Sequence, residues 1–241
     1  MAKFCTKCGK ALNEGEVCNC VQTVQPVAAT ATQGNGLVND CINIVKNFFK
    51  KPVDTLQGNI NENNFTSALV MIVLNGLAMG LFVVVLLKEV LGSLTSLFTM
   101  GSYGSYASLM GSSYSVEIPY FKYFIIVAIV GIVMQLLLGA AAYLISDKMF
   151  KGNTNIKKMI TLFGFSSIIL TAGLLVASIC LFINATLGLF VYALASVLNT
   201  YYICKGLEFS CKTDRNKLGY VLVLTYAAVL LVTYLVSAIL G

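Results

Sequence analysis

The chain contains no histidine. That absence removes every Ser-His and Cys-His catalytic couple, every His-ligated metal site, and the usual proton shuttle near neutral pH. It is the main reason to expect a protein that is not an enzyme. Charge is scarce as well. Only 11% of the 241 residues are Asp, Glu, Lys or Arg, against roughly 25% in soluble domains. Hydrophobic residues make up 58% and the mean hydropathy is +0.84, which excludes an ordinary soluble core. No apolar stretch precedes residue 65. A cleavable secretory signal is therefore not expected, and the first membrane span should double as the targeting signal.

What the chain does have is long apolar runs, far longer than a buried strand or core helix requires. A bilayer core about 30 Å thick takes roughly 20 apolar residues per helix. Five such spans are expected at about 66–87, 119–146, 159–182, 186–204 and 218–240. The third and fourth come from an uncharged run over residues 159–204, and Asn184 is the expected turn between them. Residues 92–119, rich in Gly, Ser and Tyr, are expected to form in part an irregular or re-entrant loop. Of the 16 Lys and Arg, six lie in residues 1–65, four in 148–158 and four in 205–217. The positive-inside rule then places the N-terminus in the cytoplasm, the C-terminus outside, and the protein in the cell membrane. Lys88 and Lys122 fall at the ends of spans on the far side, where they can snorkel.

No span carries an ionisable group at its centre, which argues against a pump. The polar residues at depth are neutral: Asn75, Gln135 and Asn199. Each of the three is expected to form a hydrogen bond between helices, with a substrate site as the less favoured reading. Gly76 and Gly80 form a Gly-x-x-x-Gly pair, and Gly131 with Gly139 marks a second ridge. Both should let helices approach closely, within the bundle or in a homo-oligomer.

The N-terminal segment is different in kind. Cys5 and Cys8, followed by Gly9, and then Cys18 and Cys20 form a compact thiol cluster. Four thiolates complete a closed tetrahedron around Zn²⁺, a structural site with no open position. Seventeen residues build no apolar core, so the metal would supply the folding free energy. The alternatives are unligated thiols or iron. Lys3, Lys7 and Lys10 are partly balanced by Glu14 and Glu16, so nucleic acid is not the favoured ligand. Cys204 and Cys211 flank the last basic loop and are read as inert. Residues 1–20 thus form a zinc-ribbon-like module and 21–36 a flexible, uncharged linker. Residues 37–65 form an amphipathic helix and connector, and residues 66–241 the membrane domain. The amphipathic helix should stop at Pro52. It either lies in the membrane interface through Phe48, Phe49, Lys50 and Lys51, or docks on the bundle.

The stretch Phe48-Phe49-Lys50-Lys51-Pro52-Val53-Asp54-Thr55, together with Phe150-Lys151-Gly152-Asn153 through Phe163-Gly164-Phe165-Ser166-Ser167, resembles bacterial members of the Yip family (Ypt-interacting proteins). The resemblance covers about residues 45–240. Two features depart from the family. Ile168-Ile169 stand where it often has proline, and its acidic and aromatic GTPase-binding motif is missing from residues 21–65. What the resemblance implies is a non-enzymatic membrane organiser or adaptor. With the residues above, the leading expectation is an all-α, five-helix membrane protein whose cytosolic zinc module docks a protein partner or senses metal. The competing expectation is a permease-like protein passing a small or lipidic solute. The two differ in one respect: a solute path requires Asn75, Gln135 and Asn199 to converge on a cavity, whereas an adaptor has a filled bundle.

Overall fold

The computed structural model describes residues 3–4, 11–12, 36–101 and 119–240. The chain divides into two units, Met1–Asn35 and Gly36–Gly241. In the first, two short strands, β1 (Lys3–Phe4) and β2 (Ala11–Leu12), pair antiparallel with Lys3 opposite Leu12 and Phe4 opposite Ala11. Cys5, Cys8, Cys18 and Cys20 lie outside the described residues.

The second unit is helical. It begins with α1 (Leu37–Lys50) and α2 (Pro52–Asn59), followed by α3 (Phe65–Gly101), α4 (Tyr120–Tyr143), α5 (Ile156–Leu181), α6 (Ala185–Ser210) and α7 (Leu218–Leu240). Five of these segments are long and apolar enough to cross a membrane: Glu62–Leu91, Tyr120–Met149, Ile156–Leu181, Ala185–Ser210 and Arg215–Leu235. Asparagines set the starts of two spans. Asn155 Oδ1 accepts from the Lys157 amide at 3.1 Å, and Asn184 Oδ1 from the Thr186 amide at 2.8 Å. Each satisfies a backbone donor that the first helical turn leaves free.

The amphipathic helix ends where the sequence predicts, α1 closing at Lys50 with Lys51 non-helical just before Pro52; Pro52 then opens α2 at the first helical position, where its missing N–H costs nothing. One boundary differs from the sequence expectation: the first span does not give way to a loop at residue 92, because α3 continues to Gly101. Residues 102–118, the rest of the expected re-entrant loop, lie outside the described residues.

Among the spans α5 is the central one, packed against α3, α4 and α6, whereas α7 sits at the edge against α4 and α6. Small residues make this possible. A side chain at Gly164 would meet the Ala68 carbonyl oxygen at 2.6 Å, so α3 and α5 touch backbone to backbone. The hydroxyls of α5 are neutralised along their own helix: Thr161 donates to Lys157 O at 2.8 Å, Ser167 to Gly164 O at 2.8 Å and Ser178 to Leu174 O at 2.7 Å. In a medium without water such bonds spare each hydroxyl the cost of standing unpaired.

The basic residues of 148–158 and 205–217 lie at one end of the bundle, where two loops interlock. After α4 the chain widens into a π-turn, Leu144–Met149, and then adopts left-handed backbone at Lys151 and Asn153. The Gly152 amide donates to Ser146 O at 2.8 Å, and the Lys212 amide donates to Gly152 O at 2.8 Å. Gly152 has no room for a side chain, since a Cβ there would lie 2.9 Å from the Ser146 oxygen.

Helix α1 docks on this end. At about 100° per residue, its sequence divides into three sectors. Cys41, Ile44 and Phe48 form one face and are buried, Phe48 to 1% exposure. The Phe48 ring meets Tyr202 of α6 edge-on at 5.3 Å. A second apolar stripe, Val38, Ile42 and Phe49, is exposed, Phe49 to 56%. Lys46, Lys50 and the asparagines fill the third. Phe48 and Phe49 therefore do different things: one is a core residue, and only the other is free to meet lipid.

Candidate ligand site in the membrane bundle

Asn75 of α3, Gln135 of α4 and Asn199 of α6 all line one cavity of about 520 Å³. Each lies about 12–17 Å along its helix from the nearest end, close to the middle of a 30 Å hydrocarbon core. The volume falls in the range of small-molecule sites, roughly 300–1,000 Å³. Most of the wall is apolar, including Met79, Met134, Phe163 and Leu170, and the other polar side chains come from Tyr192, Ser196, Thr200 and Tyr226. None of the lining residues is Lys, Arg, Asp or Glu.

Two of the amides are engaged with each other. Gln135 Nε2 donates to Asn75 Oδ1 at 3.2 Å, and Asn75 Nδ2 donates to Thr171 Oγ1 of α5 at 3.1 Å. The chain of bonds ends on the Ser167 carbonyl, to which Thr171 donates at 2.9 Å. It ties α3, α4 and α5 together along one wall. On the opposite wall, Ser196 donates to Tyr192 O and Thr200 to Ser196 O, each at 2.9 Å. Asn199 is the exception: its residue is 8% exposed, and its Oδ1 accepts no hydrogen bond from the described residues. A buried oxygen left so costs about 1–3 kcal/mol.

The glycine pair serves the same region. A Cβ at Gly76 would meet the Ala128 carbonyl oxygen at 2.7 Å, and one at Gly80 the Phe124 oxygen at 2.8 Å. Both glycines thus face α4 inside the bundle. Gly131 lies 3.4 Å from the Gly76 Cα by the same measure and itself lines the cavity. A smaller groove of about 270 Å³ lies between α4 and α7, lined by Leu137, Ala141, Ile145, Val229 and their neighbours, and is wholly apolar at its side chains. It offers nothing to orient a ligand.

The cysteines of the described unit are unremarkable as ligands or nucleophiles. Burial pushes the Cys41 thiol above its ordinary pKa, Asp40 adding to the shift against a hydrogen bond with Ser67. Burial likewise raises Cys211, whose Sγ–H donates to Leu207 O at 3.0 Å. Thiols raised in this way stay protonated and unreactive near neutral pH. Among the described residues no three His, Cys, Asp or Glu side chains come together as a metal site.

Reasoning from sequence singled out Asn75, Gln135 and Asn199 but missed Ser196, Thr200 and Tyr226. A signal existed for the α6 residues: Tyr192, Ser196, Asn199 and Ile203 recur at spacings of four, three and four, which places them on one helical face. Nothing local marks Tyr226. Comparison with known proteins yields no match for the chain among protein families, curated proteins or solved structures.

Proposed function

We propose that this multi-pass membrane protein is a non-catalytic, permease-like protein that holds a small uncharged molecule in the middle of its bundle. The observation that carries the reading is the convergence of Asn75, Gln135 and Asn199 on one cavity of about 520 Å³. From sequence the organiser or adaptor stood first and the permease second; a bundle with polar groups around a central space favours the second. Ser196 allows a direct test, because it lines the cavity and a bulky replacement would fill it. Wild-type protein purified from native membranes should release a small molecule on unfolding, detected by mass spectrometry, and the Ser196→Phe variant should release none. Equal release from a folded Ser196→Phe variant would refute the reading.

A second reading concerns residues 1–20 and rests on the paired strands. With Phe4 opposite Ala11, Cys5 follows directly on a paired strand. The Cys5-x-x-Cys8 spacing suits two thiolates sharing one ion, and four thiolates suit Zn²⁺. In this proposal Cys5, Cys8, Cys18 and Cys20 hold the ion, which supplies folding free energy and no chemistry. The module then docks a cytosolic partner. The N-terminus is inside, and α1 lies at the membrane surface with Val38, Ile42 and Phe49 among the lipids.

A further inference from the structure

Resting on the ligand-binding reading above, we infer that the cavity takes an uncharged, elongated molecule bearing an amide, whose N–H donates to Gln135 Oε1. Three observations lead there. The first is the direction of the hydrogen-bond relay along the α3–α4–α5 wall. Ser167 O can only accept, so Thr171 donates to it and its oxygen is left to receive the Asn75 amino group. That turns Asn75 Oδ1 toward α4, where it receives the Gln135 amino group. The Gln135 carboxamide is thereby oriented by its partners, and its oxygen is the loose end of the relay.

The second is the state of that oxygen. Gln135 is 8% exposed and lines the cavity. Its Oε1 accepts no hydrogen bond from the described residues, and unlike Asn199 Oδ1 it keeps accessible surface. The nearby hydroxyls of Ser196 and Thr200 do not serve it, since both donate to the α6 backbone. What the site lacks is a donor. The Gln135 amino group also keeps one hydrogen beyond the one given to Asn75. An amide answers such a group, because it carries donor and acceptor on separate atoms as the carboxamide does. The wall holds no Lys, Arg, Asp or Glu, so an ionised ligand would have no counter-charge there.

The third is the shape of the space. Its lining runs along α4 from Val127 to Leu138 and along α6 from Tyr192 to Ile203, about 16 Å on each helix. The two helices run the same way through the bundle, so Leu138 and Ile203 mark one end of the cavity. Gln135 lies within about 5 Å of that end along its helix. Toward the other end the wall is made by Met79, Val130 and the ring of Tyr192, which stacks on Phe82 at 5.1 Å. An amide placed at Gln135 therefore leaves an apolar slot for the rest of a long molecule.

The test uses the full-length protein in phospholipid nanodiscs and two light-activated probes of the same shape. One is a twelve-carbon N-methyl amide with a diazirine at mid-chain; the other is the matching methyl ester, in which oxygen replaces the N–H. Labelled residues are located by mass spectrometry. The amide should label cavity residues such as Met79 and Tyr192 about five- to tenfold more than the ester does, the factor expected for one hydrogen bond. Gln135→Leu should abolish that preference and leave labelling at exposed apolar positions such as Leu230 unchanged. A preference that survives in a folded Gln135→Leu variant would overturn the assignment to Gln135. The comparison between probes in the wild type needs no variant, so a misfolded Gln135→Leu does not spoil it. Cavity labelling by the ester equal to or above that by the amide would overturn the amide assignment while leaving a ligand cavity in place. Labelling confined to the lipid face, with both probes, would overturn the cavity reading as well.

Discussion

If Asn75 and Gln135 hold α3 and α4 together through their mutual hydrogen bond, removing them singly and jointly should reveal that bond as a coupling energy. Asn75→Leu deletes two interhelical bonds, the one received from Gln135 at 3.2 Å and the one given to Thr171 at 3.1 Å. Thr171 is not stranded, because its hydroxyl still donates to Ser167. At about 0.6 kcal/mol for a typical bond between transmembrane helices, Asn75→Leu should cost about 1.2 kcal/mol. Gln135→Leu deletes one bond and should cost about half as much. Both side chains border the cavity, so leucine has room in either place. The added apolar surface cancels in a double-mutant cycle, which leaves a coupling of about 0.6 kcal/mol and at most about 1.7 kcal/mol. Unfolding of the purified protein by titration with sodium dodecyl sulfate in mixed micelles measures all four species. A coupling within about 0.3 kcal/mol of zero, the scatter of additive sites, would refute the claim that the bond helps to position α3 against α4.

Four further outcomes are expected. Phe48→Ala should destabilise the docked α1 by about 3–5 kcal/mol, as for other buried phenylalanines, and speed proteolysis at Lys46, Lys50 or Lys51; Phe49→Ala should change neither. Gly80→Ala drives a methyl group to 2.8 Å from the Phe124 oxygen and should cost about 1–3 kcal/mol in thermal unfolding, whereas Gly58→Ala, in open space on α2, should gain up to about 1 kcal/mol. A peptide of residues 1–22 should bind one Zn²⁺ more weakly as pH falls, because its thiols must ionise to bind, and Cys18→Ser should abolish the visible spectrum of its cobalt form. An alkaline phosphatase fusion at Gly241 should be active and one after Lys151 inactive; the reverse would overturn the proposed orientation.

Much of this protein could be read in its sequence because a membrane span is a local property. Thickness of the bilayer sets the length, and lack of water sets the composition, so each run of about 20 apolar residues declares itself without its neighbours. Capping is equally local: Asn184 breaks an uncharged run and caps α6 through its own side chain. Other features depended on which elements meet. Phe48 and Phe49 are adjacent in a helix that presents apolar residues over two sectors, and only the presence of Tyr202 decides which of them is buried. The Gly76 pair could have faced another helix or another copy of the chain, and the oxygens of Ala128 and Phe124 decide that it faces α4.

The cavity was the least legible feature. Its amides are separated by 60 residues and more, and no periodicity spans such an interval. Whether they bond to one another, point into lipid or surround a space depends on the rotation of three helices about their axes. The apolar faces of those helices are alike in chemistry, so hydrophobicity alone does not set that rotation. Close packing does: Gly76 and Gly80 against α4, and Gly173 of α5 against Ala195 of α6, hold the helices so that Asn75, Gln135 and Asn199 line the same cavity.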